Sequence, residues 1–296
     1  VLLDIVMPEM DGFEVLALMN RYKWIDSIPV IMISAEGDFS FIKKAYDLGV
    51  TDYIQRPYQS YPIHRRIDNT LMLYNKQKRL LNIVEEQVYA KEKDNRTMIN
   101  ILGHIVEFRN GESGMHVHHI QTITRLLLRR LVQKTDKYDL TEKDILQIIT
   151  ASSLHDIGKI TIDAKILNKP GKLTAEEFEI IKGHPVIGET ILRSMKDYQG
   201  EPLLETAAEI CRWHHERIDG KGYPDGLRGE EIPIAAQAAG LADVFDALVS
   251  RRVYKEPYPM DKAMEMIAAG ECGAFDPLLT ECLRELQGTL RREVYT

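Results

Sequence analysis

The sequence predicts a mainly α-helical protein in which an all-helical domain follows a partial α/β domain and a long connecting helix. Short apolar segments alternate with amphipathic stretches over residues 1–62. Residues 63–102 contain no proline and are rich in charged and amide side chains. Residues 103–296 show helical periodicity and hold eight of the nine histidines. We therefore expect three segments with the boundaries 1–62, 63–102 and 103–296.

Composition limits the functional classes. The 296 residues carry a formal net charge of -7, which argues against binding to a nucleic acid polymer through bulk positive charge. No apolar run approaches the roughly 20 residues that span a bilayer. Three cysteines without CxxC spacing suggest reduced thiols and a cytoplasmic location. Val1 lies inside an apolar run, so we interpret the sequence as a fragment of a longer chain.

The first segment has the alternation of a parallel sheet. Apolar strands are expected at 1–4, 29–35 and 50–54, with amphipathic helices at about 13–23 and 38–48 between them. This βαβαβ order predicts functional groups at the carboxyl ends of the strands. Asp4 and Ser34 occupy two such ends.

The connecting segment repeats apolar residues at steps of three and four, as in Leu81, Val84 and Val88. The pattern is typical of a long amphipathic helix and compatible with a parallel two-stranded coiled coil whose register breaks near Lys78. A signalling helix and a plain spacer both fit. Either interpretation predicts a homodimer.

A histidine followed directly by a carboxylate, His155-Asp156, comes where an apolar helical run ends. Adjacent donors point about 100° apart on a helix, so one cation could accept both only if the backbone turns. We expect Gly158 to permit that turn. Lys159 would place a fixed positive charge beside the metal, as a phosphate ligand requires. A chance pair that ends a helix is the alternative for this dipeptide alone.

Further donors follow the same pattern. Glu112 and His116 are four residues apart, a spacing that places both on one helix face, although His118 and His119 compete with His116. Each donor taken alone has a purely structural explanation. A structural explanation of the whole set needs several independent coincidences, so we favour metal binding. Imidazole and carboxylate donors without thiolate favour iron, manganese or another first-row divalent ion over a structural zinc site of the cysteine type. The remaining candidates are His184, His214, His215 and Asp243, with Asp246 one turn after it.

The loop after the paired histidines carries a family resemblance. It is rich in glycine and runs from His214-His215-Glu216 through Gly222-Tyr223-Pro224 to Gly229. Residues from about 103 to 290 closely resemble the HD-GYP subclass of HD-superfamily phosphohydrolases. The other motifs that carry this resemblance are His155-Asp156-Ile157-Gly158-Lys159, Lys169-Pro170-Gly171, Asp243-Val244-Phe245-Asp246 and Phe275-Asp276-Pro277.

The resemblance implies hydrolysis of cyclic di-GMP to linear pGpG, and in some members to GMP, at a centre of two or three divalent metals. Asp156 and Lys159 would act in catalysis, with Asp156 able to bridge two ions about 3.5–4 Å apart. One departure is His119, where the family usually has arginine. The implied metal ligands are His116, His155, Asp156, His184, His214, His215 and Asp243, with Glu112 for a third metal. The implied substrate contacts are Gly222, Tyr223, Pro224, Arg252 and Lys255.

The first segment resembles the second half of a response-regulator receiver domain, through Asp4, Met7-Pro8, Asp11-Gly12, Ser34-Ala35 and Tyr53-Ile54. Asp4 would be the phospho-acceptor and Ser34 would read the phosphoryl group. Arg56 replaces the family's lysine, and the acidic pair of the opening strand is absent, so this piece as given is expected not to be phosphorylatable. A sensor histidine kinase would be the partner of the complete receiver.

The predicted function is thus a metal-dependent cyclic di-GMP phosphodiesterase that forms the output domain of a two-component response regulator. No serine or cysteine nucleophile stands in a motif, so no covalent intermediate is expected. Two alternatives stay open. The site could prefer another cyclic dinucleotide such as cyclic GMP-AMP, or the chain could be a non-hydrolytic cyclic di-GMP receptor or protein-docking module.

Overall fold

The structure is a computed structural model that describes residues 1–35, 39–109, 114–251 and 256–295. It divides into two compact units, Val1–Glu92 and Lys93–Thr296. Within the described ranges, none of the helices combines the length and the apolar character needed to cross a membrane.

The first unit contains a parallel sheet of three strands, β1 (Leu2–Asp4), β2 (Ile31–Ser34) and β3 (Asp52–Gln55), in the order β1-β2-β3. The register pairs Leu3 with Met32 and Met32 with Tyr53. Helices α1 (Gly12–Arg21) and α2 (Phe39–Asp47) connect the strands. The predicted strand and helix alternation is confirmed.

Helix α1 begins where its sequence predicts, because Asp11 and Glu14 form a reciprocal capping box at its first turn. Its apolar face, with Phe13 and Leu16, packs on the sheet residues Leu3 and Met32 to form the core of this unit. Burial of this one face fixes the strand register, since a slip by one residue would turn these side chains to solvent.

Helix α3 (Ser60–Arg109) is a single helix of 50 residues and belongs to both units. It extends the predicted connecting helix at both ends. In the second unit one face is covered, with Gly103, Val106 and Glu107 buried. Gly103 lies so close to the Ser153 carbonyl oxygen that a Cβ atom would be 2.5 Å from it, which explains a glycine in a helix interior.

Helices are the main secondary structure of the second unit's described residues, as predicted, with one isolated β-bridge between Asp219 and Arg228. The longer helices α4 (His116–Lys134), α5 (Glu142–Ser152), α9 (Pro202–Trp213) and α10 (Ile234–Val249) pack against one another around the main core, and α8 (His184–Arg193) packs on α9. Short 3₁₀ segments include Ile157–Thr161 and Gly229–Glu231. The other helices are α6 (Ala164–Leu167), α7 (Ala175–Lys182), α11 (Met260–Ala268), α12 (Pro277–Glu285) and α13 (Gln287–Glu293).

The sequence accounts for this packing. In α4, Ile120, Ile123 and Leu127 repeat at three- and four-residue steps and are fully buried. Helix α10 is rich in alanine, and small side chains let neighbouring helices approach closely; a Cβ atom on Gly240 would lie 2.2 Å from the His214 carbonyl oxygen. The core therefore holds the end of α9 directly against α10, which places His214 near Asp243.

Candidate metal centre

The His155-Asp156 pair lies in the irregular turn between the end of α5 at Ser152 and the 3₁₀ segment Ile157–Thr161. The predicted loss of helical regularity is therefore present. The role expected for Gly158 was wrong, because its φ angle is not positive. A Cβ atom there would lie 2.0 Å from the His184 carbonyl oxygen. Glycine is needed at this position because the start of α8 packs directly against it.

Four predicted donors form a first cluster, whose ligand atoms all lie within 4.8 Å of one another: Asp156, His184, His214 and His215. The Nε2 atom of His184 is 3.0 Å from Asp156 Oδ1, and that of His214 is 3.9 Å from the same oxygen. The Nε2 atoms of His184 and His214 are 3.4 Å apart. These donors come from the α5 turn, the start of α8 and the end of α9.

Three further predicted donors, His116, His155 and Asp243, form a second cluster under the same distance limit. The Nε2 atom of His116 is 3.4 Å from Asp243 Oδ1. Asp156 lies between the clusters, because its Oδ1 atom faces His184 whereas its Oδ2 atom is 3.3 Å from His155 Nε2. One carboxylate thus presents one oxygen to each group of donors.

Hydrogen bonds on the far side of the rings fix their orientation. The Nδ1 atoms of His155 and His184 lie 2.9 and 2.7 Å from the carbonyl oxygens of Ser152 and Ile181, to which they donate. The Nδ1 atom of His214 donates to the Ile210 carbonyl at 2.9 Å. With Nδ1 protonated, each Nε2 atom carries a lone pair directed at the cluster, as metal-binding histidines require.

The donors fit divalent cations. His155 Nε2 and Asp156 Oδ1 are buried and make no hydrogen bond to any of the described residues, which is costly unless a cation completes the site. The lone pairs on the Nε2 atoms of His184 and His214 face each other, which is also costly unless a cation binds them. Burial alone would raise the pKa of Asp156, but Lys159 and His155 outweigh it and hold that pKa well below its usual value. Asp156 therefore stays anionic.

Lys159 contacts the centre through Asp156. Its Nζ atom donates to Asp156 Oδ2 at 2.5 Å, and its side chain is 18% exposed. The expected role was to offset charge on substrate phosphates. In this structure the ammonium group neutralises the carboxylate that lies between the two donor clusters.

The Gly222-Tyr223-Pro224 loop covers the first cluster at His215. The Tyr223 ring stacks on the His215 ring with centroids 4.7 Å apart and an interplanar angle of 28°. A Cβ atom on Gly222 would lie 2.4 Å from both the Glu216 Cα atom and the Arg217 nitrogen, so only glycine fits. Burial raises the pKa of Tyr223, which keeps its hydroxyl protonated.

Glu216 organises this loop and was not singled out from the sequence. It is buried, and its carboxylate accepts hydrogen bonds from the backbone nitrogens of Asp225, Gly226 and Leu227 at 2.7–3.1 Å. Asp225 in turn accepts two hydrogen bonds from Arg212 at 2.7 and 2.8 Å. The one signal for Glu216 in the sequence was its position directly after His214-His215. The three backbone nitrogens that it accepts from come close to it only in the folded loop.

Asp246 is a second residue whose role the sequence did not reveal. It is 1% exposed and accepts a hydrogen bond from His116 Nδ1 at 2.6 Å. His119, which departs from the family pattern, lies 2.7 Å from the same carboxylate. Glu107 is likewise buried, and its Oε1 atom is 4.0 Å from His116 Nε2. The predicted residues Glu112, Arg252 and Lys255 lie outside the described residues.

In the first unit, Asp4 and Ser34 lie at the carboxyl ends of β1 and β2, as predicted. Ser34 is fully buried. The Asp4 carboxylate is paired with Arg56, whose guanidinium lies 2.8 Å away. The replacement of lysine by arginine therefore leaves a cation against the candidate phospho-acceptor.

Comparisons with known proteins agree with this geometry. The sequence matches the HD domain family over residues 96–279 and the response regulator receiver domain over residues 1–68. It is 36% identical over 292 residues to a "Probable cyclic di-GMP phosphodiesterase" of Vibrio cholerae, covering 95% of this chain and 66% of that protein. It is 35% identical over 290 residues to the "Cyclic di-GMP phosphodiesterase response regulator RpfG" of Xanthomonas campestris, covering 95% and 74%.

A third relative, the "3'3'-cGAMP-specific phosphodiesterase 2" of Vibrio cholerae, is 39% identical over 190 residues, which cover 64% of this chain and 34% of that protein. The family resemblance noted from the motifs is confirmed, and an HD domain implies a divalent metal at the histidine and aspartate clusters. The chain belongs to the HD domain family, and its HD domain is preceded by response regulator receiver sequence.

Proposed function

We propose that this chain is a metal-dependent phosphodiesterase that hydrolyses cyclic di-GMP to pGpG, and that it is the output part of a two-component response regulator. The observation that carries the proposal is the position of Asp156, which presents one carboxylate oxygen to each of two donor clusters. The names of the relatives support cyclic di-GMP as the substrate.

In this proposal Asp156, His184, His214 and His215 would hold one divalent cation. His116, His155 and Asp243 would hold a second, with Asp156 Oδ2 facing that group of donors. Bound divalent cations supply Lewis acidity, which activates water and offsets charge on the phosphoryl oxygens. Iron or manganese suits this set of donors, because it mixes imidazole with carboxylate and contains no thiolate. Cys211 is the cysteine nearest to these donors in the sequence, three residues before His214. It is a buried thiol that donates to the Leu154 carbonyl oxygen.

The protein's own groups complete the chemistry. Lys159 holds Asp156 in place and keeps the local charge close to balance. Tyr223, whose hydroxyl stays protonated, can donate a hydrogen bond to the substrate from its position on His215. The buried rings of His155, His184 and His214 cannot rotate freely, because each is fixed by a backbone carbonyl. Such preorganised donors favour in-line attack of water on phosphorus.

Replacement of Asp156 by alanine tests this mechanism. We expect turnover of cyclic di-GMP to fall by about 1000-fold or more, since the carboxylate that faces both donor clusters is lost. Metal content should fall as well, while circular dichroism should show an intact helical fold. Asp197→Asn, at an exposed position in a short 3₁₀ segment, is the control. Normal turnover in Asp156→Ala would refute the assignment.

Cyclic GMP-AMP is the second candidate substrate, favoured by the relative named as specific for 3'3'-cGAMP. Turnover of both dinucleotides by one metal-loaded sample distinguishes them. A higher kcat/KM for cyclic GMP-AMP would replace the first assignment. Tight binding of either dinucleotide, with cleavage of neither, would favour a receptor or docking role.

We also propose a homodimer that assembles along α3, and a sensor histidine kinase as the partner of the complete receiver. Receiver sequence over residues 1–68 supports the kinase. The apolar side chains that α3 exposes support the dimer, among them Leu81, Val84 and Val88.

A further inference from the structure

The Asp246 carboxylate is surrounded by donors from three parts of the second unit. Its Oδ2 atom accepts from His116 Nδ1 at 2.6 Å. Three donors converge on Oδ1: His119 Nδ1 and Ser250 Oγ, both at 2.7 Å, and the Tyr295 hydroxyl at 2.6 Å. With 1% of its surface exposed, Asp246 has its remaining hydrogen-bonding capacity filled by protein groups.

The geometry links this carboxylate to metal binding through one atom. Because His116 donates its Nδ1 proton to Asp246, its Nε2 atom must carry the lone pair. That Nε2 atom lies 3.4 Å from Asp243 Oδ1, inside the second donor cluster. Rotation of the Asp246 carboxylate would break this hydrogen bond and leave the His116 ring free to turn away from the cluster.

Two of the donors to Asp246 Oδ1 are not among the family motifs named above. His119 occupies a position where the resembling family usually has arginine. Tyr295 follows α13 and lies beyond the matched HD domain, residues 96–279. The rings of His119 and Tyr295 meet edge to face, with centroids 5.0 Å apart, and Val294 beside Tyr295 is buried in the main core. The end of the described chain is thus held firmly against the metal centre.

We propose that Tyr295 and His119 are positioning residues of the metal centre: by holding Asp246 Oδ1, they keep Oδ2 on His116 and aim His116 Nε2 at the second donor cluster. This inference rests on the proposed metal-dependent function. It adds a role for the segment that follows α13, which supplies no donor to either of the two clusters found among the described residues.

The test is metal retention, measured as the rate at which the metal-loaded chain loses iron or manganese to an excess of chelator. Outer hydrogen-bond partners of metal ligands typically contribute 10- to 100-fold to metal affinity. We expect Tyr295→Phe to raise the rate of metal loss by about 10-fold. His119→Leu should act similarly, whereas His119→Asn, which keeps a donor near the Nδ1 position, should approach wild type. Tyr198→Phe, at a tyrosine that is 58% exposed, is the matched control.

The outcomes are distinct. Wild-type retention in Tyr295→Phe and His119→Leu would overturn the inference while leaving the proposed function intact. Equal acceleration in Tyr198→Phe would also overturn it, because the effect would then be general destabilisation. If Tyr295→Phe does not fold, the difference between His119→Leu and His119→Asn decides. A wild-type chain that never binds metal would refute the proposed function itself.

Discussion

Individual side chains in the centre are held in unusual ionisation states by burial and by one another. Burial, followed by repulsion from His155 and His184, lowers the pKa of His214 to about 3. Burial also opposes protonation of His155, but the Asp156 carboxylate outweighs it and raises that pKa. Protonation of His214 therefore favours the unfolded chain, whereas protonation of His155 favours the folded chain.

His214 gives a prediction about pH and the stability of the metal-free protein. Its folded pKa is lowered, so its contribution to stability is fully present above the unfolded value of about 6.5 and is lost as pH falls towards 3. Relative to His214→Ala, wild type should lose about 2 kcal/mol of unfolding free energy between pH 6.5 and pH 5. Urea unfolding, followed through Trp213 fluorescence in a Trp24→Phe background, measures this difference. A constant difference over that range would contradict the prediction.

The metal ligand candidates were accessible from sequence because imidazole and carboxylate at fixed spacings have few other uses. All seven candidates among the described residues enter the two donor clusters. Their supporting residues were not accessible. Asp246 is 130 positions from His116, and Glu216 acts on nitrogens nine to eleven residues later in a folded loop. Such roles depend on tertiary contacts that periodicity does not encode.

At the scale of elements, the loop from Glu216 to Leu227 depends on one carboxylate. Glu216→Ala would leave three backbone N–H groups without their acceptor. We expect a loss of about 2–4 kcal/mol in unfolding free energy and a KM for cyclic di-GMP raised by about 10-fold, because Tyr223 is no longer positioned. Metal content should stay at the wild-type level.

Glu230→Ala is the matched control, since the Glu230 side chain is 82% exposed and pairs with Lys137 at the surface. Exposed pairs of this kind contribute little to stability. Unfolding curves and steady-state kinetics on both variants provide the comparison. Equal effects of the two substitutions would rule out a special role for Glu216.

The helix that links the two units has two apolar faces in the second unit. Ile99 packs on the main core, whereas Met98, Leu102 and Ile105 are more than half exposed. Together with Leu81, Val84 and Val88 they recur at the a and d spacing of a coiled coil, and Asn95 falls at an a position, where asparagine favours a paired register. This pattern predicts pairing with a second copy.

Light scattering after size-exclusion chromatography tests this pairing. Wild type should elute as a dimer, and Leu102→Glu with Ile105→Glu should shift it to a monomer, because buried charges at the seam are costly. Thr97→Glu, at an exposed polar position of the same helix, should remain dimeric. A monodisperse wild-type monomer at high concentration would exclude the seam.

Sequence periodicity located these elements because each buries one regular face. The connecting helix was expected over 63–102 and spans Ser60–Arg109. It ends directly before Asn110-Gly111, a helix-stop signal that the predicted boundary did not use. The reason for Gly158 was missed, because close approach of a second helix leaves no periodic trace. The segment boundaries 1–62, 63–102 and 103–296 remain a prediction.

At the scale of the whole molecule, we propose that the HD domain of this chain is a two-metal enzyme for cyclic di-GMP. Receiver sequence and an HD domain lie on this one chain, and under the proposed function the complete receiver would couple a phosphorylation signal to removal of a nucleotide signal. The claim requires metal and turnover together in one preparation.

The most direct measurement combines elemental analysis of protein purified without added metal with an anaerobic cyclic di-GMP turnover assay on the same sample. We predict at least two iron or manganese ions per chain and accumulation of pGpG, because two donor clusters share Asp156. Absence of metal even after reconstitution would contradict the metal centre. Full metal loading without cleavage of cyclic di-GMP would contradict the substrate.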